Sequence, residues 1–147
     1  MSEIRILTVQ PPWAQAIIHG GKTVENRSTN LAGQYRGTVA IHAGARYTND
    51  REHAIRTIDR LAPESFGDVE LERGAIIGLV DLVDVHFSGM ECSRGASECH
   101  EYGLCSPWGE AYSYHLVLAN PRPLAVPIPW KGALGLRKFD SLLLQAK

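Results

Sequence analysis

Short apolar runs separated by prolines and glycines dominate the chain, and most of them alternate with a period of two. Ile4-Arg5-Ile6-Leu7-Thr8-Val9 is short and rich in β-branched residues, which predicts a strand. Pro11 and Pro12 stop it, and proline is tolerated in a helix's first turn. Trp13, Ala16 and Ile17 then share one helical face, and Gly20-Gly21 closes a short helix at a glycine corner. From Lys22 to Ser28 the pattern returns to alternation, which places Glu25 and Arg27 on one face of a second strand. Tyr35-Arg36-Gly37 leads into a third strand over 38–43, where Val39 and Ile41 alternate with Thr38, Ala40 and His42.

Helical spacing reappears at Ala54, Ile55, Ile58 and Leu61, with Thr48, Asn49 or Asp50 available as the N-cap. Residues 75–86 form the longest strand candidate. A polar, glycine-bearing stretch over 87–110 contains all three cysteines, and a loop of that length in a small domain is usually functional or held by something. Residues 112–119 read as a strand, Asn120-Pro121-Arg122-Pro123 as a turn, 124–128 as another strand and 134–139 as the last. No repeat, low-complexity tract or linker interrupts this pattern, so residues 1–147 read as one domain. The expected class is α+β but mostly β: a small barrel of about six strands with two flanking helices.

Composition narrows the function. Fifteen Lys and Arg against sixteen Asp and Glu leave a formal charge of -1, which argues against a protein that coats phosphate backbones without specificity. A local basic patch is still compatible with that balance. No apolar run reaches the ~20 residues needed to span a bilayer, so no membrane partner is expected. The first residues have no basic-then-apolar leader layout, and the expected location is the cytoplasm. There, three cysteines point to free thiols or metal ligands and not to a disulfide framework.

The sharpest local signal is Gln10-Pro11-Pro12-Trp13-Ala14 followed by Gly20-Gly21-Lys22-Thr23-Val24-Glu25-Asn26-Arg27. A helix ends on glycine, and three charged side chains follow within six residues. At a barrel mouth, Glu25 can accept from an exocyclic amine, Arg27 can fork onto carbonyl or phosphate oxygens, and Lys22 adds a mobile charge. The competing reading is that Glu25 and Arg27 only satisfy each other on a solvated strand face.

These blocks resemble the ASCH domain family of the PUA-like superfamily, whose signature is G-x-K-x-x-E-x-R after a Q-P-W-A helix start. Residues 20–27 match each fixed position, with one extra proline between Gln10 and Trp13. The resemblance continues through Gly78-Leu79-Val80-Asp81-Leu82-Val83-Asp84 and through 116–132, so most of the chain is covered. It implies a PUA-like β-barrel with a cleft beside the motif. It also implies binding of nucleic acid, RNA in the first place but also DNA, or of a modified nucleoside, with Lys22, Glu25 and Arg27 as site residues. Trp13 and Trp108 are candidates for stacking a splayed base, with Tyr35 on the other rim. Core packing is the alternative for Trp13, and Trp130 fits barrel closure. Arg46, Arg51, Arg56 and Arg60 are interrupted by Asp50, Glu52 and Asp59, which predicts a solvated face and recognition of one nucleotide over a long backbone.

The alternative to the binder is an enzyme, a hydrolase acting on a modified nucleoside of the acetylcytidine type or on RNA. Small bacterial relatives with this motif remove the acetyl group of acetylcytidine with a Lys, a Thr three residues later and a distant Glu. Here the position three after Lys22 is Glu25, and Thr23 would point to the opposite face of the strand. A Lys22–Glu25 pair could still activate water, with Glu98, Glu101 or Glu110 as a further carboxylate. A third reading is an adaptor with a vestigial cleft. No cofactor is required by any of these. Cys92, Cys99, His100 and Cys105, with His86 as a substitute, could form a zinc site, set against three free thiols because the C-x₂-C knuckle is missing. The oligomeric state is open.

Overall fold

A computed structural model of the chain describes residues 3–63, 71–89 and 106–145. The alternating runs form six strands and the two helically spaced runs form helices. In chain order they are β1 (Glu3–Val9), α1 (Trp13–His19), β2 (Val24–Arg27), β3 (Gly37–Ala43), α2 (Arg51–Leu61), β4 (Ala75–Ser88), β5 (Ser113–Pro129) and β6 (Leu136–Asp140). All six strands share one sheet in the order β2-β5-β4-β3-β1-β6. β1 and β3 are parallel, and the other neighbours are antiparallel. A parallel pair needs a crossover connection, and here α1 and β2 lie within it.

The period of two puts apolar side chains on both faces of the sheet. Leu7, Val9, Val39, Ile41, Val80 and Leu116 pack with Ala14, Ile17 and Ile18 of α1. The opposite face gathers Ile6, Ala40, Ile76, Ile128 and Phe139, with Trp130 against them. α1 sits directly on β4 because Gly78 has no side chain: a Cβ there would lie 2.7 Å from Ile18 Cδ1 and 2.8 Å from the Arg122 carbonyl oxygen. α2 begins where Asp50 accepts from the His53 N–H at 3.1 Å, and its buried Ala54 and Ile58 face the protein while Ile55 is exposed.

Several element boundaries differ from the sequence pattern, and β4 runs past 86 through Ser88, into the start of the expected loop. The expected turn at 120–123 is absent, and β5 runs through it as a seventeen-residue strand. Asn120 (φ 54°) and the two prolines sit where the β4–β5 register slips, from Ala119↔Asp81 to Arg122↔Leu79 and Pro123↔Gly78. Prolines fit such bulged positions because no ladder N–H is asked of them. Asp81 fixes the bend, accepting from Asn120 Nδ2 at 3.3 Å and Arg122 Nη1 at 3.2 Å. β2 is shorter than 22–28, and the last strand begins at Leu136 and not at 134.

Among the described residues β2 and β6 share no ladder. The sheet nevertheless curls, because Arg27 of the edge strand β2 reaches β1, the fifth strand in order, and donates from Nη2 to the Thr8 carbonyl at 2.8 Å. No helix among the described residues is long and apolar enough to cross a membrane.

Candidate ligand-binding cleft

Because β1 and β3 are parallel, both end at the same side of the sheet. Four main-chain hydrogen bonds hold the segments beyond those ends: Gly44 N–H to Val9, Gly74 N–H to Ala43, Trp130 N–H to Gly74 and Thr48 N–H to Pro11, at 2.8–3.0 Å. They frame a cleft of about 710 Å³ whose walls include Thr8, Gln10, Trp13, Glu25, Arg27, His42, Arg46, Trp130, Lys131 and Gly132. Ligand pockets commonly have roughly 300–1,000 Å³.

The motif residues form one wall. The glycine corner directs Lys22 inward: Gly21 takes φ 73°, a region open to glycine, and the amides of Gly20 and Lys22 both donate to the Ala16 carbonyl. Lys22 is buried, donates from Nζ to the Val24 carbonyl, and lies 3.4 Å from Glu25 Oε1. Its ammonium also stands 5.3 Å above the Trp13 ring. Burial holds the Lys22 pKa below its ordinary value, with the attraction of Glu25 opposing the shift. Arg27 Nε donates to Glu25 Oε2 at 3.0 Å. Each oxygen of the single carboxylate thus faces its own cation, and the triad carries net positive charge. Glu25 and Arg27 do share a strand face, but that face is a cleft wall and not open solvent.

The opposite wall adds Arg46 and Lys131, both exposed and neither in an ion pair or hydrogen bond among the described residues. Arg46 therefore separates from the arginines of α2. Of those, Arg56 pairs with Glu52 at 3.9 Å on the solvated face, and Arg51 lies 4.0 Å over the Tyr47 ring.

The aromatic candidates divide. Trp13 lines the cleft while packing on the core and edge-on to His53. Trp130 lines it too, and also meets Phe139 edge-on at 5.0 Å, so closure and cleft wall coincide in one residue. Trp108 lies outside the cleft: it is buried against Ala16, Val24 and Ile58, and its carbonyl accepts from Asn26 Nδ2 at 3.0 Å. Tyr35 is also elsewhere, its hydroxyl donating to the Thr38 carbonyl at 2.6 Å with Arg5 stacked over the ring. Both side chains are engaged by the fold, so neither forms a rim of this cleft.

Glu110 is exposed, and its amide donates to Asn26 Oδ1 at 2.9 Å. That bond, the Trp108 bond and a Thr23–Ser106 hydroxyl contact of 3.1 Å stitch the segment after the cysteines onto β2. Cys92, Cys99, His100, Cys105, Glu98 and Glu101 lie outside the described residues. Among the described residues no three His, Cys, Asp or Glu side chains could hold a metal ion. His86 lies edge-on to His115 at 5.3 Å.

One pair was not marked by the sequence pattern. Thr8 and His42 are register partners across β1 and β3. Thr8 Oγ1 lies 3.1 Å from His42 Nδ1, and His42 Nε2 lies 2.7 Å from the Trp130 carbonyl. A carbonyl only accepts, so Nε2 carries the proton and Nδ1 accepts from the Thr8 hydroxyl. Burial lowers the His42 pKa below its ordinary value, against the raising effect of the Trp130 bond. Only knowledge of the strand pairing would have brought these two residues together.

The fold and cleft define a curled six-stranded sheet protein with a cationic, tryptophan-walled pocket at one sheet end. The ASCH domain profile matches residues 7–128, and the chain belongs to this family of PUA-like fold. The structure is similar to that of a tyrosine-to-phenylalanine mutant of the ASCH protein ZmASCH from Zymomonas mobilis. The TM-score is 0.54 at 16% identity, over 96% of this chain and 93% of that one. The structure of ASCH from the same organism gives a TM-score of 0.50 at 16% identity, over 96% and 90%. At that identity the likeness is one of fold. No curated protein matches the sequence significantly.

Proposed function

We propose that this protein is a cytoplasmic nucleic-acid-binding module that takes one nucleotide of RNA, or a modified nucleoside, into the cleft. The observation that carries this reading is the charge imbalance within an aromatic-walled pocket. Arg27, Arg46 and Lys131 face a volume in which Glu25 is the one acidic wall residue among the described residues, and both its oxygens are already engaged. Such a site attracts an anion although the chain as a whole carries a formal charge of -1. Trp13 and Trp130 offer flat surfaces to a base, worth ~1–3 kcal/mol per stacked base. A carboxylate has about four lone-pair sites, so Glu25 can accept from an exocyclic amine beside its two cations. Ribose and base fill the cleft while phosphate meets the guanidinium groups.

Titration of the full chain with nucleoside monophosphates, modified nucleosides, and short single-stranded RNA and DNA, followed by tryptophan quenching and calorimetry, tests the reading. Saturable binding that weakens in Lys131→Ala and Arg46→Ala is the expected result. Absence of binding to every one of these ligands would leave the adaptor reading in its place.

A further inference from the structure

The acetylcytidine-hydrolysing relatives carry a hydroxyl three residues after the motif lysine, where this chain has Glu25. The cleft contains another hydroxyl. We propose that Thr8 is a nucleophile served by His42, and that the cleft hydrolyses small carboxylic esters carried on phosphate-bearing ligands such as acylated nucleotides. This goes beyond the binding reading and shares only the cleft with it.

Geometry supplies the parts in order. The Trp130 carbonyl holds Nε2–H, which fixes the ring and leaves the Nδ1 lone pair on the Thr8 hydroxyl proton. Nucleophile to base, and base to orienting group, are thus each at hydrogen-bond distance, the arrangement an activated hydroxyl requires. The ring is almost fully buried, but Thr8 is partly exposed and lines the cleft, so the string of bonds opens to ligand. Gly132 keeps that opening: a Cβ there would lie 2.4 Å from Thr8 Oγ1 and 2.8 Å from the His42 ring. Positive charge is already at the nucleophile's own residue, since the Arg27 guanidinium binds the Thr8 carbonyl. That charge stabilises an oxyanion developing beside Thr8. Burial keeps His42 neutral, and so able to accept a proton, at pH 7.

The orienting group also selects the chemistry. A carbonyl, unlike a carboxylate, brings no full charge to stabilise the imidazolium that forms in the first step. The pair therefore suits esters, whose alkoxides leave more readily than amines. In the first step Thr8 Oγ1 bonds to the acyl carbon as its proton passes to His42 Nδ1. The ester C–O bond breaks, and the leaving oxygen takes that proton from Nδ1, releasing the alcohol and leaving an acyl-Thr8 ester. Water then adds to the acyl carbon and gives its proton to Nδ1. The proton returns to Thr8 Oγ1 as the carboxylic acid departs. No oxidant or further co-reactant enters.

The test uses 3′-O-acetyl-adenosine 5′-monophosphate with the full chain, read by chromatography of the products and by peptide mapping of acetylated protein after brief incubation. Binding of adenosine 5′-monophosphate is measured on each variant in parallel. The expected result is turnover with transient acetyl on Thr8. Thr8→Val and His42→Gln should each lose about a hundredfold or more, a typical loss when a nucleophile or its base is removed, and Thr8→Ser should stay within about tenfold. Turnover in Thr8→Val equal to the parent, acetyl on Lys22 in place of Thr8, or no turnover by the parent would each overturn the proposal. Should Thr8→Val fail to fold, the mapped adduct and Thr8→Ser decide the matter. If the monophosphate binds without turnover of its ester, only the catalytic proposal fails; if it does not bind, the catalytic proposal fails too, and the binding reading is decided by the nucleoside and oligonucleotide titrations.

Discussion

Replacing Glu25 by Gln removes the negative charge in direct contact with a buried ammonium, leaving only the weaker attraction of Glu110, and its effect on stability follows from the geometry. The Lys22 and Glu25 side chains are only 3% and 10% exposed, so water cannot take over the carboxylate's role. Removing one partner of a buried ion pair costs about 3–5 kcal/mol. Lys22 has an escape, because it can shed its proton. From an ordinary value of 10.5, neutralising a lysine at pH 7 costs at most about 5 kcal/mol, at ~1.4 kcal/mol per pH unit. Burial has already lowered its pKa in the parent, and loss of Glu25 lowers it further. A net loss of about 2–4 kcal/mol at pH 7 follows, or roughly 6–12 °C in melting temperature for a chain of this size. The sign with pH is fixed by linkage. Between its folded pKa and 10.5 the unfolded chain binds more protons at Lys22 than the folded one, so stability from this group rises with pH. The gap between Glu25→Gln and the parent should therefore narrow from pH 7 to pH 9.5 in parallel thermal melts. A gap that is absent at pH 7, or as wide at pH 9.5, would refute the idea that Lys22 depends on Glu25 for its charge.

Arg27→Ala should weaken binding of a phosphate-bearing ligand by ~1–3 kcal/mol, measured by calorimetry; unchanged affinity would remove Arg27 from the site. With the three cleft cations Arg27, Arg46 and Lys131 as the source of phosphate contacts, the log–log salt slope for single-stranded RNA should be about -2 or shallower. A much steeper slope would bring the arginines of α2 into contact. Gly78→Ala should cost ~1–3 kcal/mol by overpacking α1 on β4, visible as a lowered melting midpoint, and an unchanged midpoint would show that the helix is free to move off. Metal analysis of protein purified without chelator or nickel resin decides between zinc and free thiols at Cys92, Cys99, His100 and Cys105. Near-stoichiometric zinc lost in Cys99→Ser supports a site, and three titratable thiols without zinc exclude it.

Much of the fold was legible because alternation and helical spacing mark where strands and helices form, and β1, β3, α1 and α2 lie where that pattern puts them, although β3 is buried on both faces and Ile55 of α2 is exposed. The turn misread at 120–123 shows where local chemistry misleads. Two prolines and an asparagine normally break a strand, but here long pairing with β4 and the Asp81–Arg122 bond carry the chain through as a bulge. The motif identified the charged residues but not their depth: Lys22 is buried because of the glycine corner and the Trp13 ring, which spacing alone does not reveal. Trp108 at the end of the long loop and Tyr35 just before β3 are stacking candidates by residue type, which carries no information on where they pack. Tertiary packing directs one into the α1–α2 contact and the other onto Arg5. Thr8 and His42 lie 34 residues apart, so only the β1–β3 register unites them.

The bond from Arg27 to the Thr8 carbonyl has a consequence for how this cleft can be retargeted. A guanidinium holds its five N–H donors in a rigid planar fork; here Nε serves Glu25 and Nη2 serves β1, which fixes where the remaining donors lie. Lysine offers a single point of charge, so substitution at Arg27 alters the curl of the sheet together with the ligand wall. The facing segment is under no such constraint: Ala133 and Leu134 line the cleft while exposed, Leu134 at 88%. New ligand preferences, whether arising by mutation or by design, should therefore accumulate at 133–134 while β2 stays unchanged.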